Sequence, residues 1–122
     1  VRIEAGFAAA HFLSHYHGKC EHLHGHNYRV RLWSRGENLD AGGMLADFSI
    51  LKTVLRQVIA GLDHSNLNDN PEFLNDPSAE RIALFIFKKV EELLPAFHVD
   101  PILLWAVEVF ETPTSMARYE RD

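Results

Sequence analysis

The chain reads CEHLHGHNYRVRL over residues 20–32, and the rest of the sequence is organised around this stretch. In its second half apolar side chains alternate with arginines, which is typical of a strand with one buried face. The same alternation runs back through His26 to His24, so both imidazoles lie where a core face ends. Imidazole nitrogen is a good zinc ligand, and two such side chains on one side of a strand can bind one ion.

A third ligand is expected from the start of the chain. Residues 2–11 also alternate, and their apolar side ends in His11. If the two strands pair antiparallel, the end of the first lies beside the start of the second, and His11 comes within reach of His24 and His26. Three ligands suit a catalytic zinc, which keeps one position open. Competing candidates, each better explained as a solvated loop histidine, are His15, His17 and His22.

Two amphipathic helices are predicted in the middle of the chain. Asp47 is a good N-cap residue in front of an apolar stripe at helical spacing over residues 48–62. Asp76 and Pro77 predict the N-cap and first position of a second helix, whose apolar stripe covers residues 82–94. Both helices are therefore expected to lie on a sheet.

The end of the chain predicts two further strands. Residues 102–111 are strongly apolar, and Leu103 and Trp105 are expected on the core face that ends in Glu111. Residues 115–121 are predicted to form a polar edge strand. The order ββααββ predicts an α+β fold, with a four-stranded antiparallel sheet and two helices on one face.

Composition limits the class of protein. We expect residues 1–122 to form a single domain, because 47% hydrophobic residues are enough for an ordinary core. The net charge of −5 gives no general reason to bind nucleic acid or an anionic membrane. One cysteine excludes an intrachain disulfide, which favours the cytoplasm. No apolar run reaches the ~18 residues typical of a membrane span.

Two further features carry possible chemistry. Asp63 and His64 follow the first helix and are comparable to a general base with its orienting carboxylate, although such a pair is also common as a helix cap with a solvated histidine. Cys20 lies four residues before His24. It is either a small core residue or a thiol that nearby positive charge activates.

Six short motifs in this order resemble the 6-pyruvoyltetrahydropterin synthase family. They cover nearly the whole chain and are FAAAH (7–11), CEHLHGH (20–26), GMLADF (43–48), LDH (62–64), PSAE (77–80) and FET (110–112). Three residues separate Cys20 from the His-Gly-His motif, as in the 6-carboxytetrahydropterin synthases of the queuosine pathway, whereas five are usual in the pterin synthases of tetrahydrobiopterin formation.

The resemblance implies a tunnelling fold (T-fold) and a zinc enzyme that acts on 7,8-dihydroneopterin triphosphate. The implied reaction forms 6-carboxytetrahydropterin and releases acetaldehyde and triphosphate. The alternative on the same substrate eliminates triphosphate and keeps the side chain as a pyruvoyl group. An alternative of another class is a non-catalytic binding module in which the metal is purely structural, closed by a fourth protein ligand.

The resemblance also implies roles for individual residues. His11, His24 and His26 would hold zinc, and Cys20 would take or relay a proton. The remaining implied roles are proton return by His64 oriented by Asp63, and substrate binding by Glu111, Ser78 and Glu80.

Assembly is the last expectation. A small sheet with helices on one face leaves the other face and an edge uncovered, and members of the resembled family form barrels from several subunits. We expect a homohexamer of two stacked trimers, with Asp63 and His64 completing the active site of a neighbouring subunit.

Overall fold

The computed structural model describes residues 1–18 and 21–122. Two helices and five strands follow one another as β1 Arg2–His11, β2 His24–Ser34, α1 Phe48–Ile59, β3 Ser65–Asn66, α2 Ala79–Leu93, β4 Leu104–Thr112 and β5 Ser115–Glu120. The strands form one sheet in the order β3-β1-β2-β4-β5. Every neighbouring pair is antiparallel except β3, which runs parallel to β1.

The predicted α+β fold is confirmed, with one addition to the sheet. The four long strands and the two helices occur in the expected order. The additional strand β3 has two residues, which pair with Ala9 and Ala10 of β1. No alternation can be recognised in so short a segment, so the sequence contained no signal for it.

The hydrophobic core lies between the two helices and one face of the sheet. On β1, Ile3 and Phe7 are buried, and the alternate residues of β2 beginning with Tyr28 are buried as well. Each helix contributes its apolar stripe to the same core. The opposite face of the sheet carries charged and aromatic side chains, which include Glu4, Arg29, Arg31 and Trp33, and no helix covers it among the described residues.

A β-bulge makes the expected core face of β4 wrong at its start. Trp33 pairs with Ala106, but the next residue of β2 pairs with Leu104, so the register shifts by one residue. Leu104 is therefore buried, whereas Leu103 precedes the strand and Trp105 packs edge-on against Trp33 with ring centres 6.4 Å apart. The extra residue reverses which side chains face the core on one side of the bulge.

The helix caps agree with the prediction at α1 and correct it at α2. The Asp47 carboxylate accepts the Ser49 backbone N–H at 2.8 Å, as expected of an N-cap. At α2 the N-cap is Ser78 and not Asp76. The Asp76 carboxylate instead binds Ser14, and its second interaction is with His15.

Across residues 1–18 and 21–122, the two helices are too short or too polar to cross a membrane.

Candidate metal centre

The register of β1 and β2 brings three histidines together. His11 lies directly opposite His24, and Ala9 lies opposite His26. The ring centres of the three pairs are 4.6, 5.1 and 4.8 Å apart. One nitrogen from each ring lies within 4.8 Å of the others, and in the described part of the chain this group contains only the three histidines. The predicted trio is therefore assembled as a group that can hold a metal ion.

Backbone carbonyls fix the outer nitrogens of two rings. The Nδ1 of His11 donates to the Pro77 carbonyl at 2.8 Å, and the Nδ1 of His24 donates to the His22 carbonyl at 2.7 Å. A carbonyl oxygen can only accept, so each Nδ1 carries the proton and each Nε2 of the neutral ring presents a lone pair. Such a bond from the outer nitrogen is the usual support of a metal-binding histidine.

The inner nitrogens are arranged to hold a cation. The Nε2 atoms of His11 and His24 are 3.0 Å apart, so in the neutral rings two lone pairs face each other. The Nε2 of His26 is buried and has no hydrogen-bond partner among residues 1–18 and 21–122. Buried polar atoms are normally paired, so three open nitrogens directed at one another fit a bound ion. Imidazole ligands suit zinc among the common biological metals.

Burial keeps two of these rings in the form that binds metal. Desolvation is the largest cause that lowers the pKa of His11, and it also lowers the pKa of His26. Both shifts favour the neutral ring, because burial disfavours the charged form. A neutral imidazole is the ligating species, so metal binding needs no deprotonation of a histidinium near neutral pH.

Glu111 lies beside the three histidines at the end of β4. Its Oε1 is 3.8 Å from the Nε2 of His11. Glu111 also lines a cavity of about 710 Å³, which His26 borders as well. The side chain is 28% exposed, so its carboxylate is accessible to a molecule in that cavity. The sequence placed Glu111 at the end of a core face, and the structure brings it to the histidines.

Asp63 and His64 lie apart from the histidine group within one chain. The Asp63 Oδ1 accepts the Ala8 backbone N–H at 2.9 Å, and its Oδ2 is 3.0 Å from the Nδ1 of His64. The bond from Ala8 is the largest cause that lowers the pKa of Asp63, so the carboxyl is ionised and orients the ring. Ser65 pairs with Ala9 of β1, and Ala9 lies opposite His26 of β2, so one strand lies between His64 and the histidines of β2. The His64 ring is 83% exposed, which leaves it free to contact another molecule.

The start of α2 supports the segment that follows His11. Pro77 provides the carbonyl for that histidine, and the Asp76 Oδ1 accepts the backbone N–H of Ser14 at 2.6 Å. Asn68 pairs with both backbone groups of Phe12, accepting at 2.8 Å and donating at 2.9 Å. These supports were missed in the sequence, because pairing between residues more than fifty positions apart leaves no local pattern.

The two remaining predicted substrate contacts lie at the start of α2. The Ser78 hydroxyl accepts the Arg81 backbone N–H at 3.3 Å as the N-cap of α2. Glu80 is exposed in the first helical turn.

Other predicted site residues are placed as follows. His22 points into solvent with 80% of its side chain exposed, so it does not join the histidine group. His17 is also exposed. Cys20, with Lys19, lies outside the described residues.

Comparison with known proteins agrees with this arrangement. The family model described as 6-pyruvoyl tetrahydropterin synthase matches residues 1–122. A 6-carboxy-5,6,7,8-tetrahydropterin synthase of Synechocystis sp. is 43% identical over 122 residues, which cover 95% of this chain and 88% of that protein. The Bacillus subtilis protein of the same name is 36% identical and covers 92% and 78% of the two chains.

A solved structure shows the same architecture. The 6-pyruvoyl tetrahydropterin synthase of Caenorhabditis elegans superposes with a TM-score of 0.87 at 29% identity, covering all of this chain and 94% of that one. The chain therefore belongs to the 6-pyruvoyl tetrahydropterin synthase family.

Proposed function

We propose that this chain is a 6-carboxy-5,6,7,8-tetrahydropterin synthase, which converts 7,8-dihydroneopterin triphosphate to 6-carboxytetrahydropterin and releases acetaldehyde and triphosphate. The names and coverage of the Synechocystis and Bacillus relatives support this activity. The observation that carries it is the group of His11, His24 and His26, in which one nitrogen of each ring lies within 4.8 Å of the others, with the Glu111 carboxylate 3.8 Å from His11.

The three histidines are proposed as zinc ligands. When bound there, zinc would supply Lewis-acid polarisation of the substrate's side-chain oxygens, which acidifies the neighbouring C–H bonds. The protein's own contribution is to hold the inner nitrogens unprotonated. The carbonyls of Pro77 and His22 do this by accepting from the outer nitrogens.

Cys20 is proposed as the group that takes the proton from the substrate. A thiol beside positive charge is driven towards thiolate, which is a competent base near neutral pH. Three histidines already provide the usual protein ligands of a catalytic zinc, so the thiol need not bind the metal.

Asp63 and His64 are proposed to return protons to the substrate. The carboxylate contacts the Nδ1 of His64, which leaves the Nε2 to exchange a proton with a bound molecule. Glu111 is proposed to hold the pterin, because a carboxylate can accept two parallel N–H bonds from the edge of that ring. Ser78 and Glu80 are proposed as further substrate contacts at the start of α2.

The active site is proposed to be shared between subunits of a cytoplasmic homohexamer. Among the described strands, β5 pairs with β4 alone, and β1 pairs with β3 over only two residues, so both edges of the sheet have backbone groups for a partner. The His64 ring is 83% exposed and does not belong to the histidine group of its own chain, which supports a site that a neighbouring chain completes.

Forming 6-pyruvoyltetrahydropterin is the second candidate activity. The name of the Caenorhabditis elegans protein favours it, since that structure covers the whole chain. Both reactions would use the same residues, so product chemistry distinguishes them.

Product analysis tests the proposal. Zinc-loaded protein incubated with 7,8-dihydroneopterin triphosphate is expected to release acetaldehyde and to form a 6-carboxypterin detected by mass spectrometry. A pyruvoyl product without acetaldehyde would establish the second activity. Absence of turnover in protein that binds zinc tightly would indicate the non-catalytic module. Cys20→Ala is the inactive control, and His22→Ala, which removes an exposed ring, is the active one.

A further inference from the structure

The cavity near the metal centre is lined by two arginines. Besides His26 and Glu111, it is lined by Arg29 and Arg31 of β2 and by Glu4 of β1. The two arginines alternate with buried Tyr28 and Val30, so they lie on the uncovered face of the sheet. Neither arginine was assigned a role by the sequence, where they marked only the polar side of a strand.

One carboxylate holds both guanidinium groups. The Nε of Arg31 donates to Glu4 Oε1 at 2.9 Å, and an Nη of Arg29 donates to Glu4 Oε2 at 3.2 Å. The hydrogen bond from Arg31 is the largest cause that lowers the pKa of Glu4, so this carboxyl is ionised at neutral pH. Two cations against one anion leave this group of three side chains with one net positive charge.

The arginines retain most of their hydrogen-bonding capacity. A guanidinium has five N–H donors, and each of these two has a single bond to Glu4 within the described structure. Arg31 also lies over the Phe110 ring at 4.6 Å, which fixes its plane. Arg29 is 59% exposed, so its free donors face the solvent in the cavity. A fixed pair of guanidiniums with free donors is suited to an anion with several oxygens.

We propose that Arg29 and Arg31 bind the phosphate chain of the substrate. This inference rests on the proposed function, which supplies a substrate with a triphosphate at one end and a pterin at the other. Arg29 lies three residues from His26 along β2, or about 10 Å. His26 belongs to the core face of β2 and the two arginines to the opposite face, so the substrate would have to pass the end of the strand, where His26, Glu111 and both arginines border the same cavity.

Glu4 should affect phosphate binding by the two arginines in two opposite ways. It orients both guanidiniums, but its negative charge repels phosphate. Replacing it by Gln keeps an oxygen that can accept from the arginines and removes the charge, so the affinity for a polyphosphate should rise. A purely structural ion-pair network predicts no such gain.

Calorimetric titration with inorganic tripolyphosphate tests the site without any need for turnover. Arg29→Ala and Arg31→Ala should each weaken binding by about tenfold to a hundredfold, since a hydrogen bond between charged groups contributes that much. Glu4→Gln should tighten binding. The matched control is Arg35→Ala, at the residue that follows the end of β2. The Arg35 guanidinium lies over the Trp105 ring at 4.5 Å and borders a different cavity.

Three outcomes would overturn the site. These are unchanged binding in both arginine variants, equal weakening in Arg35→Ala, and undetectable binding by the wild-type protein. Arg29→Lys provides a variant that keeps the charge, and it should bind better than Arg29→Ala. Circular dichroism identifies any variant that fails to fold. Because Arg29 is exposed, the comparison of Arg29→Lys with Arg29→Ala is the decisive one.

A second comparison separates this site from the proposed function. Binding of 7,8-dihydroneopterin, which lacks phosphates, should be the same in wild type and Arg29→Ala, whereas the KM for the triphosphate substrate should rise. Arginine-dependent binding of tripolyphosphate in a protein without turnover would support the site and contradict the function. Normal turnover together with tripolyphosphate binding that does not depend on the arginines would support the function and contradict the site.

Discussion

The polar groups at the two ends of the long strands differ in their hydrogen-bond partners. At the tryptophan end, Trp33 Nε1 donates to Glu108 at 2.7 Å, and the Arg118 guanidinium donates to Glu108 at 3.1 Å and Glu120 at 2.9 Å. At the histidine end, comprising His11, His24, His26 and Glu111, the inner nitrogens of the rings have only one another or no hydrogen-bond partner in the described part of the chain. The charged groups at the first end are paired within the chain, whereas the inner nitrogens at the second are open to a ligand.

This difference in hydrogen bonding marks the histidine end as the candidate functional site. A buried polar group without a partner costs free energy, so such groups persist where a ligand satisfies them. Trp105 Nε1, at the tryptophan end, is also buried and has no hydrogen-bond partner among the residues that the structure describes. An indole N–H is a donor only and cannot bind a metal, so that atom does not repeat the arrangement of the three histidines.

Removing a ligand from the histidine end should have the largest effect. His11→Ala is expected to lose bound zinc and to reduce turnover to background, because two remaining histidines do not make a catalytic site. Metal content by mass spectrometry of the native protein and a turnover assay measure both. His22→Ala is the matched control, since its ring is 80% exposed and its carbonyl still accepts from His24. Equal zinc content in both variants would disprove the assignment.

Cys20→Ala should separate chemistry from metal binding. Turnover is expected to fall by about 10²-fold to 10⁴-fold, the usual contribution of a positioned acid or base, while zinc content stays at the wild-type level. Single-turnover kinetics together with metal analysis provide the two values. Loss of zinc from this variant would make the cysteine a ligand and the site a closed one.

The support of the histidine end should depend on pH through Asp76. Hydrogen bonding, foremost with His15, lowers the pKa of this carboxyl from 3.8 to about 2. The folded state therefore binds the proton less tightly than the unfolded state, and the resulting stability is present above pH 3.8 and is lost as the pH falls towards 2.

Thermal unfolding of wild type and Asp76→Asn across this range measures the effect. The difference in Tm should be largest near neutral pH and should shrink below pH 3.8. His15→Ala should move the transition to higher pH, because the main cause of the shift is removed. A Tm difference that stays constant from pH 7 to pH 2 would show that Asp76 acts only through uncharged contacts.

A substitution at the tryptophan end should have the smallest effect, which is a loss of stability with unchanged turnover. Trp33→Phe keeps an aromatic ring but removes the hydrogen bond to Glu108, which should lower the free energy of unfolding by about 0.5–1.5 kcal/mol. Urea denaturation measures this loss. A large decrease in turnover with unchanged zinc content would mean that the two ends are not independent.

Sequence reasoning reached the histidine end because its signals are local. Alternation along two strands predicted which faces are buried, and antiparallel pairing then predicted that His11 comes within reach of His24, which lies opposite it in the structure. The supports behind it depend on the fold: the Pro77 carbonyl is a backbone group that any residue would carry, and Asp76 contacts Ser14 from 62 positions away. The bulge at Trp105 was missed for a similar reason, since one inserted residue leaves the hydrophobic pattern almost unchanged.

X-ray absorption spectroscopy of the zinc-loaded protein tests the central claim most directly. Three imidazole nitrogens at about 2.0–2.1 Å and no sulfur are expected if His11, His24 and His26 bind the metal as proposed and Cys20 does not. The imidazole signal should decrease in His26→Ala if any zinc remains. A sulfur atom at about 2.3 Å, or a nitrogen shell unchanged by that substitution, would contradict an open metal centre made by these three histidines.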